Sequence, residues 1–487
     1  MPYRLSKSRY TAGLQCHKLL WWKVHEPLAL ELQPDKVLQD RFDQGTQVGM
    51  LARRQFPGGV LIDLPHTAAA ERVARTEQLI AEGVPAIFEA TFVADNTFVA
   101  VDVLLRENDG FRLIEAKATN SCKDEHWPDA AIQVHVARRS GLTISAAEIL
   151  HLNKDFRFPD QGELLLRTDV TAEVEPLMGK IGWEIDAQLR MLDGPLPDKP
   201  IGHNCFEPRD CPFLKRCWPD ERDHIMRLYN IGPKKGVGFL VSGVHRISDL
   251  PPNQKLNDTQ KRQIRAMKEG RIIVEPELAQ ALEPLNCRLG FLDFETIQRA
   301  VPVWPGMSPW QQAPAQFSYH EASGDGTYKH AEYLAEGPKD CRPELARLMV
   351  EATRNAERVA SYSAFEKSRI RDLQKAVPEL CGELEQLEAK LIDLLPIVRE
   401  NVYHPDFLGS FSLKEVLPAL VPELTYDDLV IVDGLVASVE IARLLFVAGK
   451  IPQEEHDRVR QDLLNYCERD TWAMVKVLEK LRALSVS

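Results

Sequence analysis

Two sets of acidic residues, one in each half of this 487-residue chain, have the types and spacing that phosphodiester hydrolysis needs. In the first half, Asp102 interrupts the apolar run Val99-Ala100-Val101-Asp102-Val103-Leu104-Leu105, and Glu115-Ala116-Lys117 closes the next run. In the second half, Asp293-Phe294-Glu295 ends another apolar run, and Tyr466-Cys467-Glu468-Arg469-Asp470 lies far downstream. A carboxylate inside an apolar strand is costly unless it is paired or metal-bound. The strand period of two puts Glu115 with Lys117, and Asp293 with Glu295, on one face. Tyr466 and Asp470, at i and i+4 of a predicted helix, also share a face. Carboxylates so grouped hold hard divalent cations. Such cations activate water and stabilise a leaving oxygen, while a lysine beside them orients the water and offsets phosphate charge.

The first set, a strand Asp, a hairpin and then Glu-x-Lys, resembles the PD-(D/E)XK nuclease superfamily. Glu89, in Ile87-Phe88-Glu89-Ala90-Thr91-Phe92, matches the acid on the preceding element, and Gln133 in the following helix resembles the glutamine of the RecB-type subgroup. The tyrosine expected four residues after that glutamine is Ala137 here, and the histidine of the first helical region is not evident. The resemblance implies that Asp102 and Glu115 hold Mg²⁺ or Mn²⁺ beside Lys117. The other reading of the same residues is a surface Asp and a Glu/Lys salt bridge on a β-hairpin.

Cys205, Cys211 and Cys217 cluster in one segment, and Cys16 lies far upstream. Four thiolates suit a [4Fe–4S] cluster or zinc. One N-terminal and three C-terminal cysteines flanking a nuclease core resemble the iron–sulfur nucleases of the CRISPR-associated RecB-like family. There the cluster staples the ends of the domain and takes no part in catalysis. The gap from Cys205 to Cys211 is longer than the usual two residues. Cys122, Cys287, Cys341, Cys381 and Cys467 are scattered and read as structural.

The second set, Asp-x-Glu with a helical Tyr-x-x-x-Asp, is similar to the motifs of DEDD-type 3′–5′ exonucleases, which have an RNase H-like fold. That family needs a further acid between the two motifs. Glu366, in Ala360-Ser361-Tyr362-Ser363-Ala364-Phe365-Glu366, matches the middle motif with Glu in place of Asp, and Asp393 is the rival. The resemblance implies metal ligation by Asp293, Glu295, Glu366 and Asp470, with Tyr466 positioning the nucleophile. Gln316, Ser318 and His320 alternate on a nearby strand and read as sheet residues with a solvated face, the alternative being that they face the site.

These residues need an α/β framework. Residues 1–220 carry predicted strands at Phe88 to Phe92, Phe98 to Leu105 and Arg112 to Ala118, and predicted helices at Asp129 to Ser140 and Thr171 to Leu192. The resemblances make this segment a restriction-endonuclease-like PD-(D/E)XK domain and residues 283–487 an RNase H-like domain. The latter opens on a strand, Cys287 to Phe294, passes a Trp- and Pro-rich loop, Pro302 to Pro314, and closes on a helix, Glu454 to Leu484. Residues 221–282 form a short connector, in which Ile231-Gly232-Pro233-Lys234-Lys235-Gly236-Val237-Gly238 resembles a helix-hairpin-helix module for DNA backbone. An ordinary helical linker is the alternative.

Composition agrees with a water-soluble protein, at 44% hydrophobic and 27% charged residues. No charge-free apolar run long enough for a membrane span is present, and the N-terminus lacks the apolar core of a signal peptide, so a cytoplasmic location is expected. The net charge of −12 does not exclude a nucleic-acid partner, because thirteen Lys and Arg stand against seven acids between Glu207 and Lys268. That stretch reads either as a basic track or as a solvated helical face. Together the resemblances imply a metal-dependent nuclease that prefers DNA to RNA and acts as an exonuclease on single-stranded ends in repair or phage defence. Two alternatives are an RNA-processing exonuclease and a binding platform with one inactive domain.

Overall fold

The computed structural model describes residues 4–324, 326–447, 449 and 451–486. The chain is mixed α/β and divides into two compact units. Unit 1 is Met1–Pro219 with the short segments Arg299–Val303 and Met307–Trp310; unit 2 is the remainder.

Unit 1 is built on a sheet of β1 (Leu5–Ser6), β2 (Val60–Leu61), β3 (Ala86–Ala94), β4 (Thr97–Glu107), β5 (Gly110–Lys117), β6 (Ile144–Leu152) and β7 (Leu165–Asp169). The order is β2-β3-β4-β5-β6-β7, with β1 parallel to the start of β4. The β3–β4 hairpin turns through Asp95 and Asn96, both at positive φ (48° and 56°), as a two-residue turn that follows strand twist requires. Ile87, Leu104, Leu113 and Ile149 face one core and Phe88, Val103, Ile114 and Leu150 the other, so the sheet is buried on both sides.

Helix α1 (Lys7–Gln15), α2 (His17–His25), α3 (Lys36–Arg53) and α4 (Ala69–Ala81) precede the sheet, and α5 (Trp127–Arg139) crosses from β5 to β6. Helix α5 carries Pro128 as its second residue, which suits a first turn whose N–H groups have no partner. It buries Ala130 through Val134, Val136 and Ala137. The helix predicted over Thr171 to Leu192 is broken: Thr171–Val174 is followed by a 3-10 turn at Glu175–Leu177 and then by α6 (Met178–Leu192). Pro176 lacks the N–H that would continue the ladder.

Unit 2 contains a five-stranded sheet in the order β11-β10-β9-β12-β13. The strands are β9 (Leu289–Gln298), β10 (Gln312–Ala322), β11 (Tyr328–Leu334), β12 (Arg358–Ser361) and β13 (Leu391–Asp393). A small antiparallel pair, β8 (Ile273–Val274) with β14 (Val402–Tyr403), stands apart. On one face Leu292, Phe294, Phe317 and Tyr319 pack against α9 (Arg342–Thr353), α10 (Phe365–Ala376) and α11 (Cys381–Lys390). The other face carries Asp293 and Glu295 and is covered by α14 (Gln453–Ser485); α12 (Leu413–Leu420) and α13 (Gly434–Phe446) precede it.

One expected boundary needs correction here. The loop predicted over Pro302 to Pro314 ends earlier, because β10 starts at Gln312; Pro314 is tolerated beside a register shift between Pro314 and Gln316. In the Gly-rich run, positive φ at Asn230 (51°) and Gly232 (68°) precedes the body of helix α7 (Gly232–Val241), which holds Gly236 and Gly238 and which Gly243 (φ 81°) follows. A second helix, α8 (Asp258–Glu269), is capped by Asn257 and Gln260 in a reciprocal box. Seven of the thirteen basic residues of the basic stretch, Arg216, Arg222, Arg227, Arg246, Lys261, Arg262 and Arg265, each pair with an acid. Among the described residues no helix is long and apolar enough to cross a membrane.

Candidate functional site

In unit 1 the sheet register gathers the first acidic set. The pairs Phe88↔Val103 and Ala90↔Val101 flank Glu89 and put it opposite Asp102, and Val103↔Ile114 puts Asp102 beside Glu115. Glu89 has a left-handed backbone (φ 61°), which costs a non-glycine residue about 1–3 kcal/mol. Arg53 and Arg72 hold its carboxylate at 3.2 and 3.5 Å. Across this residue the ordinary alternation slips, so that Ile87, Ala90 and Phe92 share one core.

Asp102 Oδ2 accepts the Ala116 N–H at 2.7 Å. Both oxygens of buried Glu115 are engaged: Oε1 receives Lys7 at 2.5 Å and Lys117 at 2.9 Å, and Oε2 receives the Gln133 amide at 2.7 Å. Lys117 also pairs with Asp129. Burial, and then the Glu115 charge, push Asp102 up to about 7. Burial would raise Glu115 too, but Lys117 and Lys7 outweigh it and hold the group below the usual range. Lys7 and Asp129 escaped sequence reasoning. Lys7 starts α1 and reaches the site across 108 residues of sequence; Asp129 sits one helical turn before Gln133.

The four cysteines of the predicted cluster line one small cavity with Trp22 and Phe213. Cys16 stands between α1 and α2, and Cys205 and Cys211 are buried. Burial, with smaller contributions from Cys16, Cys205 and Cys217, raises the Cys211 thiol to about 11. A cation is what would hold these groups as thiolates.

In unit 2 the ligand atoms of Asp293, Glu295 and Asp470 lie within 4.8 Å of one another. Asp293 and Glu295 come from central strand β9, and Asp470 from α14 above it. Glu366 is buried in the first turn of α10, with Ser363 Oγ 3.4 Å from its Oε2. Burial raises Asp293 well above the carboxylate range, and Asp470, Glu295 and Glu366 add to the shift. Burial likewise takes Glu366 to about 8 and Asp470 to about 6. Asp393, the rival, instead caps the helix after β13 through the Leu395 N–H at 2.9 Å. Its charge acts on Glu366.

Tyr466 is buried against Asp470 and contributes a hydrogen bond that lowers that acid. Burial, then Asp470, push the Tyr466 phenol far up, so it stays protonated. Three further residues belong to the site and carried no sequence signal. Tyr426 bonds Asp470. Lys414 lies 5.1 Å from the Tyr466 ring centre and offsets the charge of Glu295 and Asp470. Cys467 Sγ is 3.5 Å from Asp293 Oδ2.

The expectation of a solvated face for Gln316, Ser318 and His320 is overturned. The register pairs Gln316 with Glu295, Ser318 with Asp293 and His320 with Phe291, and α14 buries all three. Gln316 donates to Leu463 O at 2.8 Å.

The model of a family described as a domain of unknown function (DUF2779) matches residues 290–412. That span holds Asp293, Glu295, Glu366 and Asp393 and stops short of Tyr466 and Asp470. An uncharacterized protein of Ureaplasma parvum (UU173) is 23% identical over 215 residues, 40% of this chain and 31% of that protein. The chain thus spans under a third of the length of that relative. A solved family B DNA polymerase from Pyrobaculum calidifontis aligns over 40% of this chain and 24% of that one, at 15% identity and a TM-score of 0.28.

Proposed function

We propose that this chain is a metal-dependent nuclease, with a PD-(D/E)XK-like domain in unit 1 and an RNase H-like DEDD domain in unit 2. Its work would be 3′–5′ exonucleolytic hydrolysis of single-stranded DNA ends, in repair or phage defence. The observation that carries this reading is the grouping of partly buried Asp293 with buried Glu295 and Asp470, joined electrostatically by Glu366. Lys414, and at Asp470 also Arg469, offset this group of four carboxylates, which stays rich in negative charge. That donor set, all oxygen and all acidic, fits divalent magnesium or manganese.

Asp293, Glu295, Glu366 and Asp470 would hold the ions. When bound, these supply Lewis-acid activation of water and neutralise charge on the leaving oxygen. The chain's own groups do the rest. Tyr466 keeps its proton and, once released from Asp470, could donate a hydrogen bond to the water or the scissile phosphate. Tyr426 fixes the carboxylate plane of Asp470. Lys414 places positive charge beside Glu295 and Asp470, where it would also offset phosphate charge. In unit 1, Asp102 and Glu115 would hold a metal only after Lys7 or Lys117 gives way.

The same reading assigns Cys16, Cys205, Cys211 and Cys217 to a structural [4Fe–4S] cluster. A tetrahedral zinc ion with bonds of about 2.3 Å would draw the sulfurs to about 3.8 Å. Zinc is the alternative occupant of the cavity that all four cysteines line. The lysine-filled first site favours a second reading, in which unit 1 binds nucleic acid without cutting it.

Mn²⁺-dependent digestion of 3′-end-labelled single-stranded DNA, with a matched RNA beside it, tests the assignment. Asp293→Ala is expected to abolish cleavage and Lys117→Ala to spare it. Full activity in Asp293→Ala would overturn the assignment of the unit 2 site.

A further inference from the structure

A second group of potential ligands sits on the same sheet, two residues further along the strand. His320 of β10 and His330 of β11 are direct cross-strand partners, and Glu468 of α14 lies over them. The ligand atoms of all three are within 4.8 Å of one another. The imidazole rings stack at 4.5 Å, and His330 Nδ1 is 3.8 Å from Glu468 Oε1. Trp472 packs against the His320 ring at 5.4 Å and gives the group an apolar wall.

The hydrogen bonds behind the rings admit one proton assignment. Thr471 Oγ1 is 3.0 Å from the Glu468 carbonyl, which can only accept, so the threonine proton goes there. Thr471 Oγ1 therefore accepts from Ser318 Oγ and from His320 Nδ1, both at 2.8 Å. Ser318, its proton spent, accepts from His330 Nε2 at 3.0 Å. His320 thus carries its proton on Nδ1 and His330 on Nε2. The nitrogens left with lone pairs are His320 Nε2 and His330 Nδ1, and the latter faces Glu468. Ser318, His320 and Thr471 are all buried, so this arrangement is held by the core. A ligating histidine whose other N–H is fixed by a hydrogen bond is the usual design of a transition-metal site. Burial keeps His320 neutral down to about 4, as a ligand must be.

We infer that His320, His330 and Glu468 form a second metal site, for a borderline divalent cation of the zinc type, distinct from the all-carboxylate site beside it. Two imidazoles and one carboxylate with a fourth position open to water suit Zn²⁺ and not Mg²⁺. Its role is to clasp the β10–β11 hairpin to α14, the helix that carries Tyr466 and Asp470. The inference does not rest on the nuclease reading: zinc uptake here is independent of whether the chain cleaves anything.

The test is Zn²⁺ equilibrium dialysis of the full chain with elemental analysis, comparing wild type with His330→Ala, Glu468→Gln and Ser318→Ala. Zinc taken up by the thiol and carboxylate clusters cancels in the comparison. His330 reaches the surface, so its replacement leaves the fold intact. Wild type is expected to hold one zinc more per chain than His330→Ala, and zinc to raise the unfolding midpoint of unit 2 further in wild type than in His330→Ala. Glu468→Gln should weaken that zinc, and Ser318→Ala, which frees the His330 ring, should weaken it about 10- to 100-fold. Equal zinc content and affinity in wild type and His330→Ala would overturn the inference.

Discussion

Tyr426 donates its hydroxyl to Asp470 Oδ1 at 2.5 Å, reaching α14 from the loop between α12 and α13. A hydrogen bond to a charged group is worth about 1.5–3 kcal/mol, and this one also lowers the Asp470 pKa. Tyr426→Phe should therefore reduce Mn²⁺-dependent cleavage about tenfold. The acid limb of its pH–rate profile should move to higher pH, because Asp470 then keeps its proton longer. An unchanged profile would mean that Tyr426 only packs.

Glu366 makes the stability of metal-free unit 2 depend on pH. Its folded pKa of about 8 lies above the unfolded value of about 4.3, so the folded state binds the proton more tightly. Stability should then fall as pH rises through that interval and level off above it. Glu366→Gln should flatten the dependence. Mn²⁺, competing with the protons, should raise the midpoint more at pH 8 than at pH 6. Scanning fluorimetry across this range reads all three effects.

The parts legible in the sequence are those that local periodicity fixes. Asp293 and Glu295 share a face because a strand alternates, and Tyr466 and Asp470 share one because a helix repeats. The rest depends on which element covers which. Gln316, Ser318 and His320 alternate as a half-solvated strand would, yet α14 returns over them from the end of the chain. The shift at Pro314–Gln316 that aligns them with Glu295 and Asp293 leaves no mark beyond one proline. Lys7, Lys414 and Tyr426 are ordinary residues in their own segments and acquire meaning only through contacts across tens to hundreds of positions. Glu89 stood in a plain strand pattern that gave no hint of its left-handed backbone.

Lys7→Met should separate metal binding from charge pairing in unit 1. Without metal, Glu115 loses one of its two cations, and the unit should lose about 1–3 kcal/mol. With Mn²⁺ the difference should narrow, because the oxygen that Lys7 occupied becomes available. Thermal melts of wild type and variant, with and without Mn²⁺, check this. A constant difference would mean that the first site takes no metal.

Protein prepared without oxygen should be brown, and Cys211→Ala should be colourless, with a lower unfolding midpoint for unit 1. Absorbance and iron analysis check the first point, and calorimetry the second. Colourless wild-type protein containing zinc would replace the iron–sulfur assignment with a zinc one.

Helix α1 begins at Lys7 and runs straight to the residue before Cys16. Nine steps of 1.5 Å make that span about 13 Å, and a continuous helix is stiff over such a length. The lysine that holds Glu115 and the thiol that lines the cysteine cavity are therefore two ends of one rod. A displacement at the sulfur end is therefore expected to reach the ammonium end as well. Under the iron–sulfur assignment proposed above, the first acidic site and a cluster that touches none of its ligands would share this one helix.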